Sequence, residues 1–424
     1  MSISPQDPAA LPRWKRLIMA PIKLLLGMAF TKSILGAMIA IGWTQRLMQR
    51  NALAVWWKRS LIKEKGTTFP GFLDTHLETR PHLHWPNWFL RQNFLANLRR
   101  EGPSPWRVFT GLTESLRRNF WLGLQGIFNT SALILPSGTL MWFGWDYGWN
   151  MSFHKGYEQF YVGVTISSVG FLAFVTAMFY VPLAQARQAV TGQWRTFYDF
   201  RLVWRVAREQ WAACLGLAIA YVLLAVPLNV LKTAPMFLYG HGFTALEELV
   251  AKDPKGFMNS YFFWTAVVGL PAYILVRCLA ARIYAAGLLR ALREKQVDPE
   301  KLSPAEQSAL DRLELLTDTP PILQSRWRRL AKWFGTKLGR ALGGFAIFWL
   351  WAAFQLQVYF AEFLNYHEAG RAWLNHPLVQ LPWFQYLPTG LQPSGQELPG
   401  AIGFILLCAG IRALIHLSRK LKNG

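Results

Sequence analysis

The residues best equipped for chemistry sit close together in the chain. Asp74, His76, Glu78, His82 and His84 combine imidazole and carboxylate groups, a donor set that zinc accepts. In an extended segment His82-Leu83-His84 would put both rings on one face, because side chains alternate with a period of two. Pro81 and Pro86 bracket that pair, however, and the other five of the 8 histidines are scattered. The preferred reading of His76, His82 and His84 is therefore interfacial polar residues, with no metal site expected.

A second polar group lies inside apolar runs. Asn129, Thr130 and Ser131 precede Pro136; Thr165, Ser167 and Ser168 follow in the next run; Gln355, Gln357 and Glu362 occupy a later one. Polar side chains in a bilayer are costly, so each asks for a reason. With Pro227 and Pro271 interrupting two further runs, Asn129, Thr130, Ser131, Ser167, Ser168, Gln355 and Gln357 could line a path through broken helices. The competing reading is that they glue helices together by hydrogen bonds. No phosphate-cradling loop, G-x-S-x-G elbow or HExxH motif occurs. Cys214, Cys278 and Cys408 all fall in apolar runs, where cysteine is a small packing residue. No catalytic or cofactor-binding residue is assigned, and no cofactor is predicted.

The elements that would position these residues are membrane helices. Hydrophobic residues make up 52% of the 424 and charged residues only 16%, against about 25% charged in soluble domains. Six stretches reach the roughly 20 apolar residues a bilayer requires: 121–144, 160–182, 211–231, 260–281, 341–363 and 399–417. Basic content alternates between their connections. Segments 44–120, 183–210 and 282–340 carry 13, 5 and 12 Lys and Arg, whereas 145–159 has only Lys155 and 364–398 only Arg371. By the positive-inside rule the basic connections are cytoplasmic, and so is the basic C-terminal tail. The net charge of +22 then points to anionic lipid headgroups, not nucleic acid.

Residues 17–43 are apolar but contain Pro21, Lys23 and Lys32. An in-plane helix over 11–30, with Arg16 and Lys23 on one face, is favoured over a span or a re-entrant element. Three basic segments carry aromatic or aliphatic stripes. These are Leu90, Phe94, Leu95 and Leu98; Trp106, Phe109, Leu112 and Leu116; and Trp194, Phe197 and Trp204. They suit helices lying in the membrane plane or docked on the protein's own core. Ser303, Pro304 and Glu306 form a helix-start signature for an acidic helix over 304–316. Its Leu310, Leu313 and Leu316 are candidate partner contacts, with pairing of its acids to the basic stretch 326–340 as the plainer alternative. The aromatic, proline-broken stretch 364–398 offers Trp383, Phe384 and Tyr386 as further candidate contacts.

The expected architecture is an all-α polytopic membrane bundle with six transmembrane helices, an N-terminal membrane-associated segment and amphipathic cytoplasmic helices. Its regions are 1–43, a basic amphipathic region 44–120, a four-helix membrane region 121–281, a cytoplasmic helical loop 282–340 and a two-helix membrane region 341–424. Ser33 to Gly36 through Gly42, Trp43 and Arg46, with Pro182 to Arg187, Thr191-Gly192 and Phe197 to Phe200, resembles uncharacterised bacterial multi-pass inner-membrane proteins. That resemblance implies a six-helix body in the inner membrane and transfers no functional residue. The expected function is a non-enzymatic structural, anchoring or assembly subunit, in contact with lipids and other membrane subunits. The alternative is a transporter component, and a lipid-modifying enzyme would require metal at residues 74–84.

Overall fold

A computed structural model describes residues 13–31, 33–76, 86–90, 94, 98–99, 102–150, 159–221, 223–224, 248, 252, 254–316 and 326–366. All regular structure among them is helical. The helices are α1 (Arg13–Phe30), α2 (Ile34–Lys58), α3 (Leu61–Glu64), α4 (Phe69–His76) and α5 (Pro105–Phe143). After them come α6 (Phe160–Thr191), α7 (Phe200–Glu209), α8 (Trp211–Tyr221), α9 (Pro254–Arg293), α10 (Pro304–Arg312) and α11 (Arg326–Tyr366).

Local chemistry sets the boundaries. Ser33 caps α2 by accepting from the Gly36 N–H at 3.0 Å, which divides the apolar run 17–43 between two helices. Pro105 opens α5 at a position where no N–H is needed. Gly192, at φ 68°, ends α6 in the left-handed conformation that glycine adopts without strain. Asp199 caps α7 through the Leu202 N–H. Segment 193–208 is consequently a 3-10 turn, Trp194–Tyr198, followed by a separate helix.

Helices α2, α5, α6 and α9 pack together, with α1 against α2 and α9, α7 against α6 and α9, and α10 against α6. Between α2 and α5 the backbones nearly touch. A Cβ at Gly42 would stand 1.7 Å from the Asn119 carbonyl oxygen, and one at Gly123 1.7 Å from that of Met38.

The largest core collects residues from the connections as much as from the apolar runs. Trp56, Leu73, Leu183, Phe197, Tyr284, Leu288, Leu310 and Leu313 are all fully buried in it. Along α6 every residue from Tyr180 to Thr191 is buried, including Gln185, Arg187 and Gln188. The preceding half exposes Tyr161, Val169, Leu172 and Phe179 and buries Gly163, Ser167 and Gly170, with Phe171 the one large apolar side chain buried among them. Apolar side chains outward and small or polar ones inward is the pattern of helices packing in lipid.

Among the described residues two helices are long and apolar enough to cross a membrane, Phe160–Thr191 and Phe263–Arg293. The runs 121–144 and 341–363 fall largely within α5 and α11, and 211–231 is described only at 211–221 and 223–224. The run 399–417 lies outside the described residues, as does 367–398 with Trp383, Phe384 and Tyr386, the stretch 364–398 being described only at its first three residues, the end of α11.

Candidate functional site

The densest chemistry is a buried ionic junction where α6, α9 and α10 meet. Ser303 starts α10 with the expected capping box: its side chain accepts from the Glu306 N–H, and Glu306 accepts in return. Glu306 is fully buried. One carboxylate oxygen takes the Ser303 N–H at 3.0 Å and the Ser303 hydroxyl at 2.9 Å. The other takes the Tyr284 hydroxyl at 2.5 Å and faces Arg187 Nε at 3.5 Å. Arg187 also donates through Nη1 to Asp199, the half-exposed cap of α7. The Tyr180 hydroxyl closes the arrangement on the Phe197 carbonyl. Each charge faces an opposite charge, the condition for tolerating ions away from water, although Arg187 Nε makes no hydrogen bond among the described residues.

This junction corrects the surface reading of 304–316. The helix stops at Arg312, and Glu314 at φ 54° turns the chain. Leu310 and Leu313 are buried in the protein's own core and Leu316 packs against it, so this leucine face is covered by the chain itself. Two acids of 304–316 have partners elsewhere in the chain. Glu306 meets Arg187, and exposed Glu314 meets Lys65 at 2.6 Å.

A polar seam continues from the junction between α2, α5 and α6. Asn129 donates to the Gln188 side-chain oxygen and to the Trp194 carbonyl, both at 3.0 Å, and accepts from Tyr198 at 3.1 Å. Burial holds the Tyr198 phenol above its ordinary range, so it remains a donor. Gln185 donates to Thr130 at 2.5 Å, and Gln49 reaches the Val190 carbonyl at 3.2 Å. The Gln45 amide lies against Gly126, with neither polar atom hydrogen-bonded among the described residues. These glutamines carried no functional signal in sequence, because a lone Gln in a helix reads as an ordinary polar residue. Their grouping around Asn129 exists only in three dimensions.

A third group clamps the chain at Pro86–Trp88. Lys23 donates to the Pro86 carbonyl at 3.2 Å and to the Asn87 side chain at 2.9 Å. Arg46 donates to Asn87 O, Ser115 Oγ and Asn119 Oδ1 at 3.2, 2.8 and 2.9 Å. The Trp43 indole donates to Pro86 O at 3.1 Å and stacks on Trp88, their centroids 4.6 Å apart. Burial, with Arg118 nearby, lowers the Arg46 pKa from its usual value. Lys23 is thus buried on internal acceptors, whereas an in-plane helix sharing a face with Arg16 would direct it to lipid headgroups.

The residues proposed as one membrane path fall into two groups. Asn129 and Thr130 belong to the seam, and Ser131 is half-buried beside them. Ser167 and Ser168 meet Gln355 at 3.0 and 3.1 Å, and the Trp351 indole donates to Ser168 at 2.8 Å. Ser167 and Gln188 are 21 positions apart on α6, which at about 1.5 Å per residue separates the groups by about 30 Å. The Gln357 side chain lies outside the described residues.

Of the metal candidates, Asp74 and His76 end α4 with side chains outside the described residues, and Glu78, His82 and His84 lie wholly outside. Among the described residues no group of three or more His, Cys, Asp or Glu could hold a metal ion. Of the aromatic stripes, Phe197 is fully buried whereas Trp194 and Trp204 are exposed, so that stripe divides between core and surface. Trp106, Phe109, Leu112 and Leu90 are exposed.

Over its described residues the chain is all-helical, with two helices long and apolar enough to span a membrane and polar networks that tie its connections to the bundle. No family model, curated protein or solved structure matches the chain.

Proposed function

We propose that the chain is a multi-pass inner-membrane protein that serves as a non-enzymatic anchoring or assembly subunit of a larger membrane complex. In this reading the six apolar runs span, and the basic connections and C-terminus face the cytoplasm. The reversed burial along α6 and the alternation of basic loops support it. The observation that carries the subunit role is α11. This 41-residue helix exposes Leu330, Trp333, Phe334 and Leu338 in its basic first third, and Phe345, Phe348 and Trp349 beyond it. The later three suit acyl chains. The earlier four precede the apolar run and sit among Arg340, Lys337 and their neighbours, where a partner or the interfacial region must cover them. The buried ionic junction and the clamp fit a scaffold, because their internal hydrogen bonds and ion pairs bind loops to helices.

The test is purification in mild detergent followed by size exclusion. A stoichiometric partner should co-elute with the wild type and be lost from the Trp333→Asp/Phe334→Asp variant while that variant's melting temperature is kept. A monodisperse, partner-free wild type that moves a solute in proteoliposomes would replace this reading with a transporter. The favourable sign for that alternative is the polar seam at Gln45, and the separation of the polar residues into two groups weighs against it.

A further inference from the structure

We propose that Arg277 and Tyr221, between α8 and α9, form a binding site for the phosphate of an anionic membrane lipid. Arg277 lies on the apolar helix α9 and is 5% exposed. Among the described residues two of its nitrogens, Nε and Nη1, are buried without a hydrogen-bond acceptor, and the Tyr221 hydroxyl is buried without a partner. The guanidinium carbon stands 5.9 Å from the centre of the Tyr221 ring and 5.0 Å from that of Tyr273. These rings hold the cation in place but do not neutralise it. Cation–π contacts supply about 0.5–2 kcal/mol each, whereas removing a charge from water costs several. The balance calls for an acceptor that carries negative charge.

A phosphate meets both demands. Its oxygens can take Nη2 together with Nε or Nη1 in the forked geometry guanidinium favours, leaving another for the Tyr221 hydroxyl. The surroundings select a lipid. Leu217, Val276 and Ala280 pack beside the site, with Leu224, Leu279 and Ile283 around them. Ile219 and Leu275 are exposed on the same two helices, with exposed Leu223 just past the end of α8, an outer face suited to acyl chains. A charged head held by Arg277 with its tails along that face satisfies both surfaces.

The inference rests on α9 being a membrane helix. The test uses delipidated full-length protein in a neutral detergent, titrated with phosphatidylglycerol, phosphatidylcholine or inorganic phosphate, and read by thermal shift and native mass spectrometry. Phosphatidylglycerol should give saturable stabilisation and a retained adduct, and phosphatidylcholine much less. Affinity should fall about tenfold in Arg277→Gln, the scale of one charge-assisted contact, and several-fold in Tyr221→Phe, with Arg277→Lys between. Saturation by inorganic phosphate with the same Arg277 dependence would overturn the lipid and keep the anion site. Unchanged phosphatidylglycerol binding in Arg277→Gln would overturn the site. Should that variant fail to fold, Tyr221→Phe and Arg277→Lys decide, and unchanged binding in both overturns the proposal. A protein that stays dissolved without detergent would sink the membrane reading separately, while the phosphate titration still tests the cation.

Discussion

Replacing Glu306 by Gln tests whether the ionic junction holds the connections onto the bundle. The side chain keeps its shape and loses its charge. The wild-type carboxylate is surrounded by donors alone: the Ser303 N–H and hydroxyl on one oxygen, the Tyr284 hydroxyl and Arg187 Nε on the other. A glutamine must point its amide nitrogen at one side. Aimed at Ser303, it opposes the backbone N–H and breaks the capping box, a loss of about 1 kcal/mol. Aimed at Tyr284, it places two more hydrogens beside a guanidinium. Either way a charge-assisted hydrogen bond goes, at about 1.5–3 kcal/mol. Arg187 retains Asp199, so the full cost of an uncompensated buried charge is avoided. The expected destabilisation is about 3 kcal/mol, measured by unfolding in a fixed mild detergent. Arg187→Met should cost a similar amount, and the double variant should fall short of the sum by about 2 kcal/mol because the two share one interaction. Hydrogen exchange adds a local readout: amides of α10 should open before those of α2. A Glu306→Gln protein within about 0.5 kcal/mol of wild type, the ordinary range for surface changes, would refute the argument. It would mean the carboxylate does not hold the contacts of the junction in solution.

Three other outcomes follow from the packing. Gly123→Ala places a methyl against the Met38 carbonyl, which forces α2 and α5 apart and should cost at least about 3 kcal/mol, the upper range for overpacking; a variant that melts like wild type refutes the close approach. Asn129→Leu leaves the Gln188 oxygen, the Trp194 carbonyl and the Tyr198 hydroxyl without their partner, for a loss of about 2–3 kcal/mol in the same unfolding assay. Lys65→Ala should change stability by less than about 1 kcal/mol, because its pair with Glu314 is exposed and screened by solvent and salt. A larger effect there would show that the turn after α10 is tied down by that contact.

Elements with a local cause were legible in the sequence. Ser303, Pro304 and Glu306 specify a helix start through contacts three residues apart, and the structure has the capping box they imply. The Trp106 stripe was legible as helical from its periodicity, but only the structure shows it continuing into the apolar run as one helix despite Pro136. The acidic helix's role was misread for a related reason. Leu310 and Leu313 mark an apolar face, but only the fold shows that the chain's own α6 and α9 side covers it.

Composition and spacing alone therefore determined that the chain is helical and apolar over long runs, with its positive charge gathered into alternate connections. Those are properties of consecutive residues and need no neighbours. What tertiary structure decided is which polar residues meet. Arg187 finds Glu306 across 119 positions, as 306 − 187 counts them, and Asn129 finds Gln188 across 59. In sequence the basic groups Lys23, Arg46 and Arg187 resembled surface charge. Burial turned them into internal fastenings, because a cation removed from water survives only where carbonyls, hydroxyls or carboxylates from distant segments are brought within hydrogen-bond reach.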